Sequence, residues 1–103
     1  SVVFTTSSVG RQGRAYWGAY AVSKFATEGL MQVMAEELEN TSKIRVNCIN
    51  PGATRTQMRA AAYPAENPTT VTEAKDIMPL YLHLMSPESI GTHCQSIDAQ
   101  PKK

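Results

Sequence analysis

The chain opens with SVVFTT at residues 1–6. This stretch is a continuous run of apolar and β-branched residues, which predicts a strand buried on both faces, as in a parallel sheet. The hydroxyl-rich segment SSVG follows at residues 7–10. Because α/β proteins bind ligands at the carboxyl ends of parallel strands, its serines are candidate binding residues. Considered alone, the segment fits a plain turn better, since serines often bond their own backbone.

A long helix over residues 18–39 and a second strand over residues 43–50 complete a βαβ unit, whose crossover is expected to be right-handed. Apolar residues at helical spacing form the expected buried stripe of the helix: Val22, Phe25, Ala26, Gly29 and Val33. A second apolar set widens this stripe beyond the needs of one sheet face: Leu30, Met31, Met34 and Leu38. The excess fits either a generous core or a helix from another subunit.

A turn with special residues follows the second strand. Pro51 ends the strand, and Gly52 permits a positive φ or a close approach to a ligand. Thr56 is a candidate N-cap for a short helix over residues 57–62. The alternative is an ordinary Pro-Gly turn followed by a cap. The following residues 63–70 show no periodicity and suit a substrate lid.

The rest of the chain predicts one helix and one strand. The helix covers residues 72–85, and Pro79 requires either a start as late as Asp76 or a kink. Its expected buried stripe is Ala74, Ile77, Met78, Tyr81, Leu84 and Met85. A short strand is predicted over residues 92–97 with His93 facing outward, and residues 98–103 are expected to be unstructured. The order β–α–β–α–α–β indicates an α/β fold with a parallel sheet of about three strands.

One pair of side chains in the long helix is suited to acid–base chemistry. Tyr20 and Lys24 are four residues apart, so a helix places them on one face, and small residues surround them. An ammonium about 4 Å from a phenol favours the phenolate by roughly 4 kcal/mol at an effective dielectric of about 20. Such a tyrosine can exchange a proton with an alcohol or carbonyl near neutral pH. Alone, the pattern is better explained as two solvated helix residues.

Composition argues against several classes of function. The net charge is +1 without a basic run, so nucleic acid is not an expected partner. No apolar run reaches the ~18 residues of a membrane span, and no signal peptide is visible. Cys48 and Cys94 lack the spacing of metal ligands and lie in apolar runs, so we expect no metal site, two buried free thiols and a cytoplasmic location.

Three motifs together resemble the short-chain dehydrogenase/reductase family. SSVG at residues 7–10 is similar to the family's Ser-x-x-Gly, and Ser7 precedes Tyr20 by the usual 13 positions. YAVSK at residues 20–24 resembles the family's Tyr-x-x-Ser-Lys signature, and NPGATRT at residues 50–56 resembles Asn-Pro-Gly-x-x-x-Thr. The sequences of residues 9–15 and 76–82 are similar to those of one bacterial group within the family. The resemblance covers essentially the whole chain.

The resemblance implies that residues 1–103 are a partial NAD(P)-binding domain. The implied fold is the C-terminal half of a Rossmann-like doubly wound parallel sheet, with about three strands and a long crossover helix. The implied reaction is hydride transfer between NADP or NAD and a small-molecule alcohol or carbonyl. Tyr20 is then the general acid/base, Lys24 assists it and hydrogen-bonds the nicotinamide ribose, and Ser7 orients the substrate oxygen. Ser8 and Ser23 are second choices.

The resemblance also implies a cofactor-binding turn. Thr54 and Thr56 hold the carboxamide and phosphate end, and Gly52 lets the backbone approach. The implied cofactor-binding residues are Tyr20, Lys24, Pro51, Gly52, Thr54 and Thr56. Tyr16 and Trp17 either border the substrate or pack, with packing favoured.

The chain departs from the family at both ends. It opens at Ser1 within an apolar run, which looks like a cut end, and the family's Gly-rich turn and catalytic asparagine are absent from these residues. Ile90-Gly91 and Asp98-Ala99-Gln100 replace the usual Thr-Gly and Asp-Gly-Gly. Two functions are therefore possible. The first is a short-chain oxidoreductase, which the resemblance implies forms a dimer or tetramer through the helix that contains Tyr20. The second is an inactive half-domain that associates with a partner through an exposed strand edge.

Overall fold

The computed structural model describes residues 1–100. These residues form strands and α-helices joined by turns and short 3₁₀ helices. In chain order the elements are β1 (Val2–Thr5), α1 (Gly18–Glu39), β2 (Val46–Asn50), β3 (Thr54–Arg55), α2 (Gln57–Ala62), β4 (Thr72–Glu73), α3 (Ala74–Met85) and β5 (Ser96–Asp98).

Three strands form a parallel sheet in the order β1-β2-β5. Val2 pairs with Val46, and Cys48 pairs with Ser96. The predicted α/β fold with a three-stranded parallel sheet is confirmed. A second, two-stranded parallel sheet joins β3 to β4. The sequence did not indicate it, because strands of two residues are too short to show a periodicity.

The central strand β2 is the most buried part of the sheet. Val46 to Ile49 are all buried, whereas β1 is half-buried and its last residue, Thr5, is exposed. The prediction that residues 1–6 are buried on both faces is therefore wrong for β1. The physical reason is its place at an edge of the described sheet, where it pairs with β2 alone.

Helix α1 has the predicted bounds, but it packs through a different face. Its buried residues are Ala21, Glu28, Met31 and Ala35. The predicted stripe is exposed instead: Val22, Phe25, Ala26, Gly29 and Val33. Met31 and Ala35 form the core with Val46 and Cys48. Both faces of this helix are apolar at helical spacing, so the pattern alone did not identify the one that meets the sheet.

Helix α3 begins at Ala74, which excludes the predicted alternative start at Asp76. Pro79 lies inside the helix, in its second turn, where it removes one backbone N–H donor. Ile77 and Leu84 are buried as predicted. The other members of the predicted stripe are not buried: Tyr81 is half-buried, and Ala74, Met78 and Met85 are exposed.

His93 joins the sheet to α1 instead of facing outward. Its Nδ1 accepts a hydrogen bond from the Val46 N–H at 3.2 Å, and its Nε2 lies 2.9 Å from the Ala35 carbonyl oxygen. The ring therefore carries its proton on Nε2 and donates it to Ala35. The prediction of an outward His93 is wrong, because the strand β5 begins later than expected and leaves His93 in the preceding turn.

The segment expected to be unstructured is ordered through residue 100. Asp98 pairs with Asn50 at the end of β5, and the Ala99 N–H donates to the Asn50 carbonyl at 2.8 Å. Backbone hydrogen bonds to β2 fix this segment, and they leave no pattern in the side chains. The remainder of the predicted unstructured segment, residues 101–103, lies outside the described residues.

The two cysteines are free but differ in exposure. Cys48 is buried, and this burial, reinforced by the nearby Glu28 carboxylate, raises the pKa of its thiol to about 12. Cys94 is exposed. The prediction of two buried thiols is right for Cys48 and wrong for Cys94.

Within residues 1–100, no helix is long and apolar enough to cross a membrane. The histidine, cysteine and acidic side chains of the same residues form no cluster of three or more suited to a metal ion.

We expect His93→Ala to lower the free energy of unfolding by about 1–3 kcal/mol, because it leaves the buried Val46 N–H without its partner and removes the bridge from β2 to the Ala35 carbonyl. Urea denaturation measures the effect. The matched control is His83→Ala, since the His83 side chain is 48% exposed and its contact with Glu88 is a long one, at 3.8 Å. We expect that change to stay within about 0.5 kcal/mol. Equal unfolding midpoints for the two variants would contradict the structural role of His93.

Candidate active site

A cavity of about 800 Å³ opens at the carboxyl ends of β1 and β2, beside the first turns of α1 and under α2 and α3. The first-choice residues of the predicted site all line it: Ser7, Tyr20, Lys24, Pro51, Gly52, Thr54 and Thr56. Of the second choices, Ser8 lines the cavity, whereas Ser23 is not among its lining residues and donates to the Tyr20 carbonyl at 2.7 Å. The parallel sheet explains this convergence, because parallel strands end at the same edge. The chemical roles of these residues remain predictions.

Ser7 reaches the cavity from the turn after β1. It is the N-cap of the 3₁₀ helix Ser8–Gly10, and its Oγ accepts a long hydrogen bond of 3.4 Å from the Val9 N–H. Gly10 lets this turn pack directly on α1, since a Cβ there would lie 2.9 Å from the Lys24 carbonyl oxygen. The turn therefore holds Ser7 close to the helix that carries the predicted acid–base pair.

Tyr20 and Lys24 lie one turn apart at the start of α1, as predicted. The Lys24 Nζ is 5.5 Å from the centre of the Tyr20 ring. The same Nζ donates a hydrogen bond of 3.4 Å to the carbonyl oxygen of Thr5, the last residue of β1. This contact directs the ammonium toward the strand end at which Ser7 follows.

The turn after β2 has the predicted local structure. Gly52 has a φ of +75°, a conformation that residues with a Cβ rarely adopt. Its N–H donates to the Asn50 side-chain oxygen at 3.1 Å, and its carbonyl accepts from the Thr54 hydroxyl at 3.1 Å. Thr56 caps α2 by accepting the Arg59 N–H at 3.1 Å. The alternative prediction, an ordinary Pro-Gly turn followed by a cap, describes the backbone correctly. The same turn also lines the cavity, as expected of a binding turn.

Gln100 clamps this turn from the outside, which the sequence did not predict. Its Nε2 donates to the carbonyls of Pro51 at 2.9 Å and Ala53 at 2.7 Å, and its Oε1 accepts from the Thr72 hydroxyl at 3.0 Å. One amide therefore joins the turn after β2 to the beginning of β4. The signal in the sequence was the departure from Asp-Gly-Gly at residues 98–100, which places a side chain where the family has none.

A polar network behind the turn was also missed. Asp98 accepts from the Asn50 amide at 3.1 Å and from the Arg11 Nη1 at 2.7 Å. The Arg11 Nε also lies 3.3 Å from Glu28, a buried carboxylate that accepts the Ser96 hydroxyl at 2.7 Å. This network links α1, β2 and β5 to the Asn50 side chain that holds Gly52. Its members are spread along the whole chain, so no local motif reveals it.

The predicted lid is attached to α2 by an ion pair. Arg59 donates two hydrogen bonds to Glu66, of 2.9 and 2.8 Å. Through this hydrogen bond, Arg59 holds the pKa of the Glu66 carboxyl below its usual range. Tyr63 at the start of the segment lines the cavity.

Tyr16 and Trp17 have different surroundings. Trp17 lines the cavity and contacts other rings, whereas Tyr16 is fully exposed and has a φ of 70°. The favoured interpretation of both residues as packing residues is therefore wrong for Tyr16.

The comparisons with known proteins agree with this geometry. Residues 1–67 match the family model described as short chain dehydrogenase. The chain belongs to this family. It is 61% identical, over 98% of its length, to the uncharacterized oxidoreductase YciK of Escherichia coli K12, which bears out the bacterial group indicated by residues 9–15 and 76–82. It is also 38% identical, over 77% of its length, to an NADPH-dependent aldehyde reductase-like chloroplastic protein of Arabidopsis thaliana.

A solved structure shows the same fold. The chain superimposes with a TM-score of 0.92, at 61% identity and over 98% of its length, on a short chain dehydrogenase of Escherichia coli CFT073 complexed with NADPH. The Rossmann-like parallel architecture predicted from the sequence is thereby confirmed. The chain spans 39% of YciK, 32% of the Arabidopsis protein and 41% of the solved chain.

Gly52→Ala tests the turn. A Cβ at this left-handed position costs about 1–2 kcal/mol, and it would also lie 3.0 Å from the Gln100 amide nitrogen and displace the clamp. We expect a lower unfolding midpoint in a thermal melt. Gly13→Ala is the control, because a Cβ at Gly13 meets nothing within 4 Å. If the two variants melt together, Gly52 is not under this constraint.

Proposed function

We propose that the protein containing this chain is an NAD(P)-dependent oxidoreductase that interconverts a small-molecule alcohol and its carbonyl, with Tyr20 as general acid/base. One observation carries the proposal: Ser7, Tyr20 and Lys24, from the end of β1 and the start of α1, line one cavity with the turn after β2. The aldehyde reductase-like relative and the NADPH complex of the solved neighbour support the same chemistry.

The charge of the residues that line the cavity suits a nicotinamide nucleotide. Its cationic lining residues are Arg14 and Lys24, together with Arg59, whose charge Glu66 neutralises, and its described lining includes no carboxylate. An anionic, phosphate-bearing cofactor is favoured by such a surface. We propose that Lys24, Thr54 and Thr56 hold this cofactor, and that Pro51 and Gly52 shape the backbone beside it.

A bound nicotinamide supplies the hydride to the carbonyl carbon, or accepts it from the alcohol. In the reducing direction, Tyr20 gives its hydroxyl proton to the substrate oxygen. The Lys24 ammonium stabilises the negative charge that forms on the phenol oxygen. Ser7 donates a hydrogen bond to the same substrate oxygen and so fixes its position next to Tyr20.

Tyr20→Phe tests the proposed acid/base. We expect it to lower kcat/KM of the native gene product at least about 100-fold in an assay of nicotinamide absorbance with aldehydes and ketones, because it removes the proton donor. Tyr16→Phe deletes the same hydroxyl from a fully exposed ring and should leave the rate unchanged. Undiminished activity of Tyr20→Phe would disprove the proposed role.

The intact mass of the gene product separates this function from the alternative. A mass more than twice the 11.3 kDa of this chain fits an enzyme that also has a nucleotide-binding half. A mass near 11.3 kDa without nicotinamide-dependent activity favours the associating half-domain, for which the half-buried edge strand β1 is the available surface.

We further propose that the protein is a cytoplasmic homo-oligomer, a dimer or tetramer, that assembles through α1. Two free thiols fit a reducing compartment. The face of α1 that points away from the sheet is apolar and exposed: Val22 is 70%, Phe25 47%, Leu30 49% and Val33 54% accessible. Contiguous apolar surface of this kind is typical of protein interfaces.

Phe25→Glu combined with Val33→Glu tests this interface. Where identical helices meet, the added carboxylates repel each other, so light scattering should show a smaller assembly. Gln32→Glu adds the same charge at an exposed polar position of the same helix and should not change the mass. An unchanged mass in the double variant would place the interface elsewhere.

A further inference from the structure

Three aromatic rings extend from the predicted acid/base into the lid segment. The centre of the Trp17 ring lies 5.8 Å from that of Tyr20 and 6.1 Å from that of Tyr63, with interplanar angles of 59° and 32°. These separations are within the range of stabilising aromatic pairs. All three rings line the cavity. The cavity surface beside the Tyr20 ring is therefore aromatic over the length of three side chains.

The far end of this array is fixed by charge. The Arg59 guanidinium lies 3.8 Å from the centre of the Tyr63 ring, a cation–π contact. The same guanidinium donates two hydrogen bonds to Glu66, and such bidentate pairs fix both position and angle. Since Glu66 neutralises Arg59 there, the guanidinium serves to hold Tyr63. At the other end, the Lys24 ammonium lies 5.5 Å from the centre of the Tyr20 ring, so a cation contacts each end of the array.

The rest of this side of the cavity is apolar as well. Met58 and Ala62 of α2 and Met78 of α3 line it. Met58 is 71% and Met78 41% exposed, so large flexible apolar side chains are available to contact a ligand. The polar groups lie elsewhere, at Ser7, Lys24 and the turn after β2. An apolar wall with a few convergent polar groups is typical of a small-molecule site.

We propose that Trp17 and Tyr63 are specificity-determining residues and that the substrate is an aldehyde or ketone with a planar, uncharged aromatic substituent. The inference rests on the proposed function, since it assumes that the substrate oxygen binds at Tyr20. A substituent on that carbonyl then meets Trp17 and Tyr63 and stacks on them, while a polyol in the same place loses its hydrogen bonds to water.

The chemistry is balanced as the reduction of such a carbonyl. The C=O π bond breaks, one C–H bond forms with the hydride of the reduced nicotinamide, and one O–H bond forms with the Tyr20 proton, which solvent restores. The carbonyl gains two electrons and the nicotinamide loses two. The product is the aromatic alcohol.

Three aldehydes and four variants of the native gene product test the inference. Benzaldehyde, cyclohexanecarbaldehyde and glyceraldehyde distinguish a planar aromatic, a bulky aliphatic and a polar substituent. We expect the highest kcat/KM for benzaldehyde. Trp17→Ala and Tyr63→Ala should each reduce the preference for benzaldehyde over glyceraldehyde by about three- to tenfold. Trp17→Phe keeps a ring and should retain most of the preference. Tyr16→Ala, the matched control, removes a neighbouring exposed ring and should leave it unchanged.

Binding provides a readout apart from turnover. Benzyl alcohol should quench a component of the protein fluorescence that the Trp17→Phe variant lacks. Circular dichroism spectra of all variants show whether they fold, and Trp17→Phe keeps the test valid if Trp17→Ala does not.

The results separate this inference from the function on which it rests. Two results would overturn the proposed aromatic specificity and leave the proposed oxidoreductase function standing. One is a higher wild-type kcat/KM for glyceraldehyde than for benzaldehyde. The other is an equal loss of kcat/KM for all three aldehydes in Trp17→Ala and Tyr63→Ala. Absence of nicotinamide-dependent turnover with every carbonyl, or turnover that Tyr20→Phe leaves undiminished, overturns the proposed function and the inference with it.

Discussion

Parallel pairing of β2 with both of its neighbours is the constraint on which the rest of the structure depends. It brings the carboxyl ends of β1 and β2 to one edge, so that Ser7 and the Gly52 turn face the same cavity. The long crossover helix α1 must begin at that edge, and it therefore carries Tyr20 and Lys24 into the cavity. Residues from three separate segments meet because of the strand direction alone.

The end of β2 is stabilised by polar groups, which is unusual for the centre of a small domain. Glu28 is 6% exposed, and its carboxylate is tolerated because Arg11 and Ser96 bond to it. Breaking such a buried pair costs more than the pair contributes, since it leaves an isolated charge. The network thus ties the geometry of the turn at Asn50 to the packing of α1 and β5, and local changes there reach the site.

The two apolar faces of α1 show how one sequence pattern serves two purposes. Met31 and Ala35 pack on β2, while Phe25 and Val33 remain exposed on the other side. A hydrophobic pattern indicates that a helix face is apolar, but it does not indicate which part of the protein packs on that face. The sheet selects one face by the register of the helix against β2, and the other face stays exposed.

The order of the three main strands and the α-helices, the bounds of α1, the Thr56 cap of α2 and the seven predicted residues that line the cavity follow from the sequence alone. These features depend on neighbours within a few positions, or on motifs whose spacing a parallel sheet translates into proximity. Only the tertiary structure decided which face of α1 is buried, that His93 bridges β2 to α1, and that Gln100 clamps the turn. Those contacts join residues about 45–60 positions apart, and their partners are backbone groups, which every residue possesses and which no side-chain pattern reveals.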